Sequence, residues 1–166
     1  MKNIILTGFM GAGKSAVGKK LAERTGMTLV DTDEIIEGET GKSISEIFAE
    51  SGERHFREIE RKVVEKVSEM KNSVITTGGG VVLNRRNVKN LRKNGIIVYL
   101  HAEPEILYER LKKEKHRPLL RVENPLGRIK ELMIMRSRFY ADNDMFIDTS
   151  KLTVDEVADV IMKKVK

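Results

Sequence analysis

The run Thr7-Gly8-Phe9-Met10-Gly11-Ala12-Gly13-Lys14-Ser15 fits G-x-x-x-x-G-K-[ST] directly after the apolar stretch Ile4-Ile5-Leu6. No other stretch limits so strongly what the chain can fold into. The dense negative charge of a polyphosphate must be met by several inward-turned backbone N–H groups, and glycines at 8, 11 and 13 relieve the steric limits on such a turn. A helix beginning near Lys14 turns the positive end of its dipole to the same place. Lys14 then supplies a mobile positive charge for the outer phosphates, and the Ser15 hydroxyl can ligate Mg²⁺. The plain alternative is a glycine-rich turn with a surface lysine, and the strand-loop-helix setting argues against it.

A chain of 166 residues with 40% hydrophobic content encloses a real core and reads as one domain, 1–166. It contains no cysteine, which excludes disulfides and thiolate metal sites and fits a cytoplasmic location. The N-terminal apolar run is broken at Thr7, too soon for a signal peptide or a membrane span, so no membrane association is expected. The net charge of +6 raises nucleic acid as a partner, but the basic residues are spread among 25 acidic ones. Three Tyr, five Phe and no Trp are too few for a base-stacking surface. Anionic small molecules account better for the positive balance.

Apolar runs of strand length alternate with helical stretches, the signature of an α/β fold with helices covering a parallel sheet. Strands are expected at 3–6, 28–30, 74–77, 96–100 and 145–147. Helices are expected at 14–25, closed by Gly26 in a left-handed cap, and from the capping box Ser43-Ile44-Ser45-Glu46 to a break at Ser51-Gly52. Further helices follow at 53–70, at 84–94 closed by Gly95, from Pro104 to about 113, from Pro125, and at 153–165. Between them, 114–124 lacks periodicity, and His116-Arg117-Pro118-Leu119-Leu120-Arg121 reads as a mobile flap. No surplus apolar helix face is evident, which makes a monomer the expectation.

Asp31 and Asp33 follow the second strand and are the carboxylates nearest the glycine loop. On an extended segment side chains two apart point the same way, so both could reach the site, one for Mg²⁺ and one for an acceptor hydroxyl; either could instead cap the next helix. Arg57 could serve an anionic acceptor or merely pair with Glu53 one turn earlier. Arg117 and Arg136 carry the same two readings. His55 and His116 lack metal-ligand spacing and are read as ordinary. Gly78-Gly79-Gly80 ends the third strand and lets another group come close to backbone amides.

Taken together, the stretch from Gly8 to Ser15, Asp31-Thr32-Asp33, Phe56-Arg57-x-x-Glu60, Gly78-Gly79-Gly80, Arg117-Pro118-Leu119 and Met135-Arg136-Ser137-Arg138-Phe139-Tyr140 resemble the shikimate kinases, P-loop proteins of the nucleoside-monophosphate-kinase-like branch. The resemblance spans essentially the full length. It implies a three-layer α/β/α P-loop kinase fold with a five-stranded parallel sheet ordered 2-3-1-4-5, a substrate-binding helical region at about 32–60 and a lid at about 112–124. It implies phosphorylation of the 3-hydroxyl of shikimate by ATP, with Mg²⁺, in the pathway to chorismate and the aromatic amino acids. ATP would be held by Lys14 with the loop residues Gly11, Ala12, Gly13, Ser15 and Ala16, by Arg110 stacking on adenine, and by Arg117 closing with the lid. Ser15 would ligate the metal and Asp31 its water shell. Asp33 would bind shikimate and act as base, with Lys14 and Arg117 assisting catalysis, while Arg57, Gly79, Gly80 and Arg136 hold the substrate. The chain departs from the family at Lys151, where arginine is common.

The chief alternative within the fold is a kinase for another small polyol acid, such as gluconate, or for a nucleoside monophosphate. A base-binding site would not obviously use Asp31-x-Asp33 with two carboxylate-directed arginines. A regulatory GTPase would need an Asn-Lys-x-Asp guanine motif, and the chain has none.

Overall fold

Strand β1 (Asn3–Thr7) is buried at every residue because it lies at the centre of a sheet covered on both faces. In the computed structural model, which describes residues 1–114 and 121–165, β1 pairs in parallel with β3 (Ser73–Thr76) and β4 (Gly95–His101). Outside these lie β2 (Thr28–Asp31) and β5 (Met145–Asp148), so the order is β2-β3-β1-β4-β5 with every pair parallel, as the resemblance implied.

The two-residue period of the strands divides the core. Ile4, Leu6, Val98 and Leu100 face α1 (Lys14–Thr25), α5 (Pro104–Leu111) and α7 (Val154–Val165), meeting Leu21, Leu107 and Ile161. Ile5, Ile75, Ile97 and Tyr99 face the other way, onto α2 (Thr32–Thr40), α3 (Ile44–Ser68) and α4 (Arg85–Asn94), meeting Ile36, Val64 and Leu91. Helix α6 (Pro125–Tyr140) joins the layers, since Ile129 packs in the first core and Tyr140 in the second. Each fully buried Ile, Leu or Val contributes about 1.5–3 kcal/mol. At the edge, β5 buries Met145 and Ile147 and exposes Phe146 and Asp148. One of its faces is therefore only partly covered.

Local signals act where the residues place them. Gly26 closes α1 at φ 71°. Ser43 and Glu46 form the reciprocal capping box, and Pro104 and Pro125 open α5 and α6. Gly52 stands at φ 79° and ψ 170°, dividing α3 where the break was expected. Gly95 differs from expectation. It is extended and already part of β4, and a β-carbon there would lie 2.8 Å from the Ile5 side chain, so it serves close packing rather than a cap. Of residues 31–33 only Asp31 is extended, because α2 starts at Thr32 with Asp31 as its cap. After the three glycines, Val81–Leu83 form a short 3₁₀ turn that buries Val81 and Val82.

Candidate active site

β1 runs at its carboxyl end into the glycine loop. Gly8, Gly11 and Gly13 have φ of 145°, 84° and 100°, and a β-carbon at Gly8 would also overlap the Leu100 carbonyl oxygen of β4. Side chains are thus disfavoured by conformation at all three and barred by contact at Gly8. No side chain caps α1, so the first N–H groups of a 12-residue helix remain directed at the loop. Lys14 Nζ bends back over it, donating to Gly8 O and, at 3.2 Å, to Phe9 O. An anion in the loop would meet both the dipole and the ammonium.

A second set of bonds braces the loop from outside. Arg110 donates to Gly11 O at 3.1 Å and to Thr149 O at 3.2 Å, while the Thr149 hydroxyl donates to Ala12 O at 3.2 Å. Arg110 therefore stands between the loop and the turn after β5. Arg117 and the rest of 115–120 lie outside the described residues, so of the expected lid only the flanks are seen.

At the end of β2, Asp31 Oδ1 accepts from Asp33 N at 2.9 Å and Glu34 N at 3.1 Å, and Oδ2 accepts from Thr76 Oγ1 at 2.7 Å. The capping alternative therefore holds for Asp31, and Asp33 falls in the first turn of α2. Burial raises the pKa of Asp33, the charge on Asp31 raises it further, and Lys14 opposes both. Those influences tie the two carboxylates to the phosphate loop. A β-carbon at Gly78 would lie 2.9 Å from Asp33 Oδ1 and 3.3 Å from Glu60 Oε2. A glycine after β3 thus leaves room for both acids where they stand.

On α3, Arg57 pairs with Glu60 at 2.8 Å and Glu53 at 3.3 Å. The Glu60 side chain is 2% exposed against 27% for Arg57, so the buried member is the acid. Burial raises the Glu60 pKa, with Arg57 pulling it back down. The Arg57 guanidinium lies so close over Gly80 that a β-carbon there would sit 2.6 Å from Cζ. Beside it a cavity of about 240 Å³ opens between Glu53, Arg57, Glu60, Gly80, Leu83 and Asn87. Arg136 of α6 lies over the Phe9 ring at 5.6 Å, and a β-carbon at Gly79 would be 3.4 Å from its Nη1. Two arginines from different helices thus converge on the Gly79-Gly80 backbone.

Three residues without an assigned role from sequence take part in this arrangement. Glu60 holds Arg57, and its position three residues on along one helix was the signal. Thr76 fixes Asp31, and Thr149 joins Arg110 to the loop. Those two contacts span 45 and 39 residues, beyond any local pattern.

The geometry is that of a P-loop kinase with an acidic group and an arginine pair beside the phosphate site, and shikimate kinases are among the known proteins the chain resembles. A shikimate kinase family model matches residues 10–166. A shikimate kinase from Caldanaerobacter subterraneus subsp. tengcongensis is 50% identical over 98% of this chain and 95% of its own length. One from Thermodesulfovibrio yellowstonii is 51% identical over 99% and 95%. The solved structure of shikimate kinase from Acinetobacter baumannii in complex with shikimate superposes with a TM-score of 0.94 at 37% identity, covering 99% of this chain and 93% of that one. With the family model spanning nearly the whole chain and relatives near half identical end to end, the chain belongs to the shikimate kinase family.

Proposed function

We propose that this chain transfers the γ-phosphoryl group of ATP to the 3-hydroxyl of shikimate. The observation that carries the reading is the convergence at one sheet edge of the Lys14 loop, the half-buried Asp33 and the arginines Arg57 and Arg136 around Gly79 and Gly80. Shikimate offers a planar carboxylate on one side of a ring and hydroxyls on the other. Arg57 and Arg136 hold the carboxylate by charge-assisted bonds, with the Gly79 and Gly80 amides beside them. That anchorage turns the hydroxyls toward Asp33 and the phosphates.

Asp33 accepts the hydroxyl proton as the oxygen attacks the γ-phosphorus and the bond from that phosphorus to the β–γ bridging oxygen breaks, releasing ADP. The raised pKa brings this carboxylate nearer the basicity such a step needs. Lys14 and the amides from Gly11 to Ala16 offset the charge on the transferred group. Ser15 and Asp31 form an all-oxygen donor set suited to Mg²⁺, and Asp31, whose oxygens already accept three hydrogen bonds, suits a water-bridged contact. Mg²⁺ would draw charge from the β and γ oxygens. Arg110 holds the adenine side, and Arg117 with a lid at 112–124 excludes water that would otherwise hydrolyse ATP.

The same reading makes the protein one domain, 1–166, acting as a monomer in the cytoplasm on two small anions; among the described residues no helix is long and apolar enough to cross a membrane. The deciding experiment measures ADP release from Mg-ATP with shikimate, gluconate, a nucleoside monophosphate or no acceptor. Release with shikimate alone, matched by one phosphorylated product, is the expected result. Stimulation by gluconate instead would leave the fold intact and remove the acceptor.

A further inference from the structure

The Gly79 carbonyl accepts a hydrogen bond from the Tyr140 hydroxyl at 2.6 Å. Tyr140 is 2% exposed, and its ring lies flat on Tyr99 with centroids 4.9 Å apart and planes 2° from parallel. The hydroxyl therefore reaches the glycine loop from a fixed base. It also stays a donor, because burial raises the Tyr140 pKa above that of a free phenol.

The Gly79 C=O and the Gly80 N–H are opposite edges of one planar trans peptide unit, so they point in opposite directions. A carbonyl held toward Tyr140 aims the next N–H away from it. Gly78 N donates to Thr32 Oγ1 at 3.2 Å and Val81 N to Gly78 O at 3.1 Å, but the N–H groups of Gly79 and Gly80 find no acceptor among the described residues. Both unspent donors sit where Arg57 and Arg136 converge. Successive free amides beside two guanidinium groups form a nest for a carboxylate. Arg136 lies one turn before Tyr140 on α6, so one helix delivers the arginine and the pin together.

We infer that Tyr140 is a positioning residue for the acceptor: its hydroxyl orients the Gly79-Gly80 peptide so that the Gly80 N–H joins Arg57 and Arg136 on the acceptor carboxylate. This rests on the shikimate reading above. Tyr140 touches neither nucleotide site nor reacting atoms, so its effect falls on one substrate.

The test is steady-state kinetics of Tyr140→Phe, which removes the hydroxyl and keeps the ring on Tyr99. The expected result is a rise in KM for shikimate of about 3- to 10-fold, the range for one net hydrogen bond, with KM for ATP and kcat within about twofold. Tyr99→Leu, which removes the supporting ring and keeps the hydroxyl, lowers Tm more and KM for shikimate less. An unchanged KM for shikimate in Tyr140→Phe, or equal rises for both substrates, would overturn the inference. Wild-type protein that shows no shikimate-dependent ADP release would overturn the acceptor reading instead. Should the variant not fold, ¹⁵N-labelled wild-type protein decides: shikimate shifts the Gly80 amide resonance, and an unmoved resonance overturns the role.

Discussion

Replacing Gly80 by alanine isolates the contact between the glycine loop and Arg57. Gly80 has φ −100° and ψ 2°, which alanine adopts without strain, so any effect comes from the added methyl group. That methyl would stand 2.6 Å from Arg57 Cζ, well inside contact distance. An arginine tip usually swings aside at little cost. Here it is held by Glu60 at 2.8 Å and Glu53 at 3.3 Å, and moving it leaves a 2% exposed Glu60 without its partner. Uncompensated burial of a charge costs about 3–5 kcal/mol, but Arg57 is 27% exposed and solvent screens the pair, so the lower figure of about 1–2 kcal/mol is expected. Losing the arginine from an anionic acceptor costs about 2 kcal/mol on the same discounting, or roughly 30-fold in affinity.

A coupled ADP-release assay on Gly80→Ala should therefore give KM for shikimate raised about 30-fold and KM for ATP unchanged, with Tm lowered by several degrees. The destabilisation should lessen on acidification, because Glu60, whose pKa is already raised by burial, takes up a proton in place of the lost partner. A KM for shikimate within twofold of wild type would refute the reasoning, since it would mean that Arg57 can leave Glu60 without consequence for the acceptor.

Asp33→Asn should lower turnover by about 10²- to 10⁴-fold, the range for a lost general base, and near-normal kcat would remove that role. The same substitution should raise Tm: the folded-state pKa of Asp33 lies above the unfolded value of 3.8, so folding gains as pH falls through that window and the charge opposes folding at neutral pH. A lowered Tm would contradict the burial cost. In the wild type, activity should fall on the acid side through a pKa above 3.8, and a profile flat down to that value would show that Asp33 does not need to be ionised. Arg110→Ala removes the brace between Gly11 and Thr149 and should raise KM for ATP while sparing KM for shikimate; equal effects on both would place Arg110 in general stability. Gly38 lies within α2, where an added β-carbon would meet nothing within 4 Å, so Gly38→Ala should stabilise by about 0.4–1 kcal/mol in urea unfolding without altering kinetics.

The sequence by itself determined the phosphate loop, the parallel α/β class and most element ends, because each rests on interactions within a few residues. Gly8, Gly11 and Gly13 answer to their own backbone angles, Gly26 and Gly52 to helix ends, and Ser43 with Glu46 to a four-residue box. The resemblance carried the sheet order, which no local pattern contains. Tertiary structure alone decided how Asp31 is used, since its oxygens are divided between the start of α2 and Thr76 on a neighbouring strand. It also decided that Gly95 serves packing against Ile5, that Glu60 is buried where it holds Arg57, and that Tyr140 reaches Gly79 across 61 residues. In each of these cases the energy lies in a polar or packing contact whose geometry depends on distant segments, and those meet only when the parallel sheet brings its carboxyl ends to one edge.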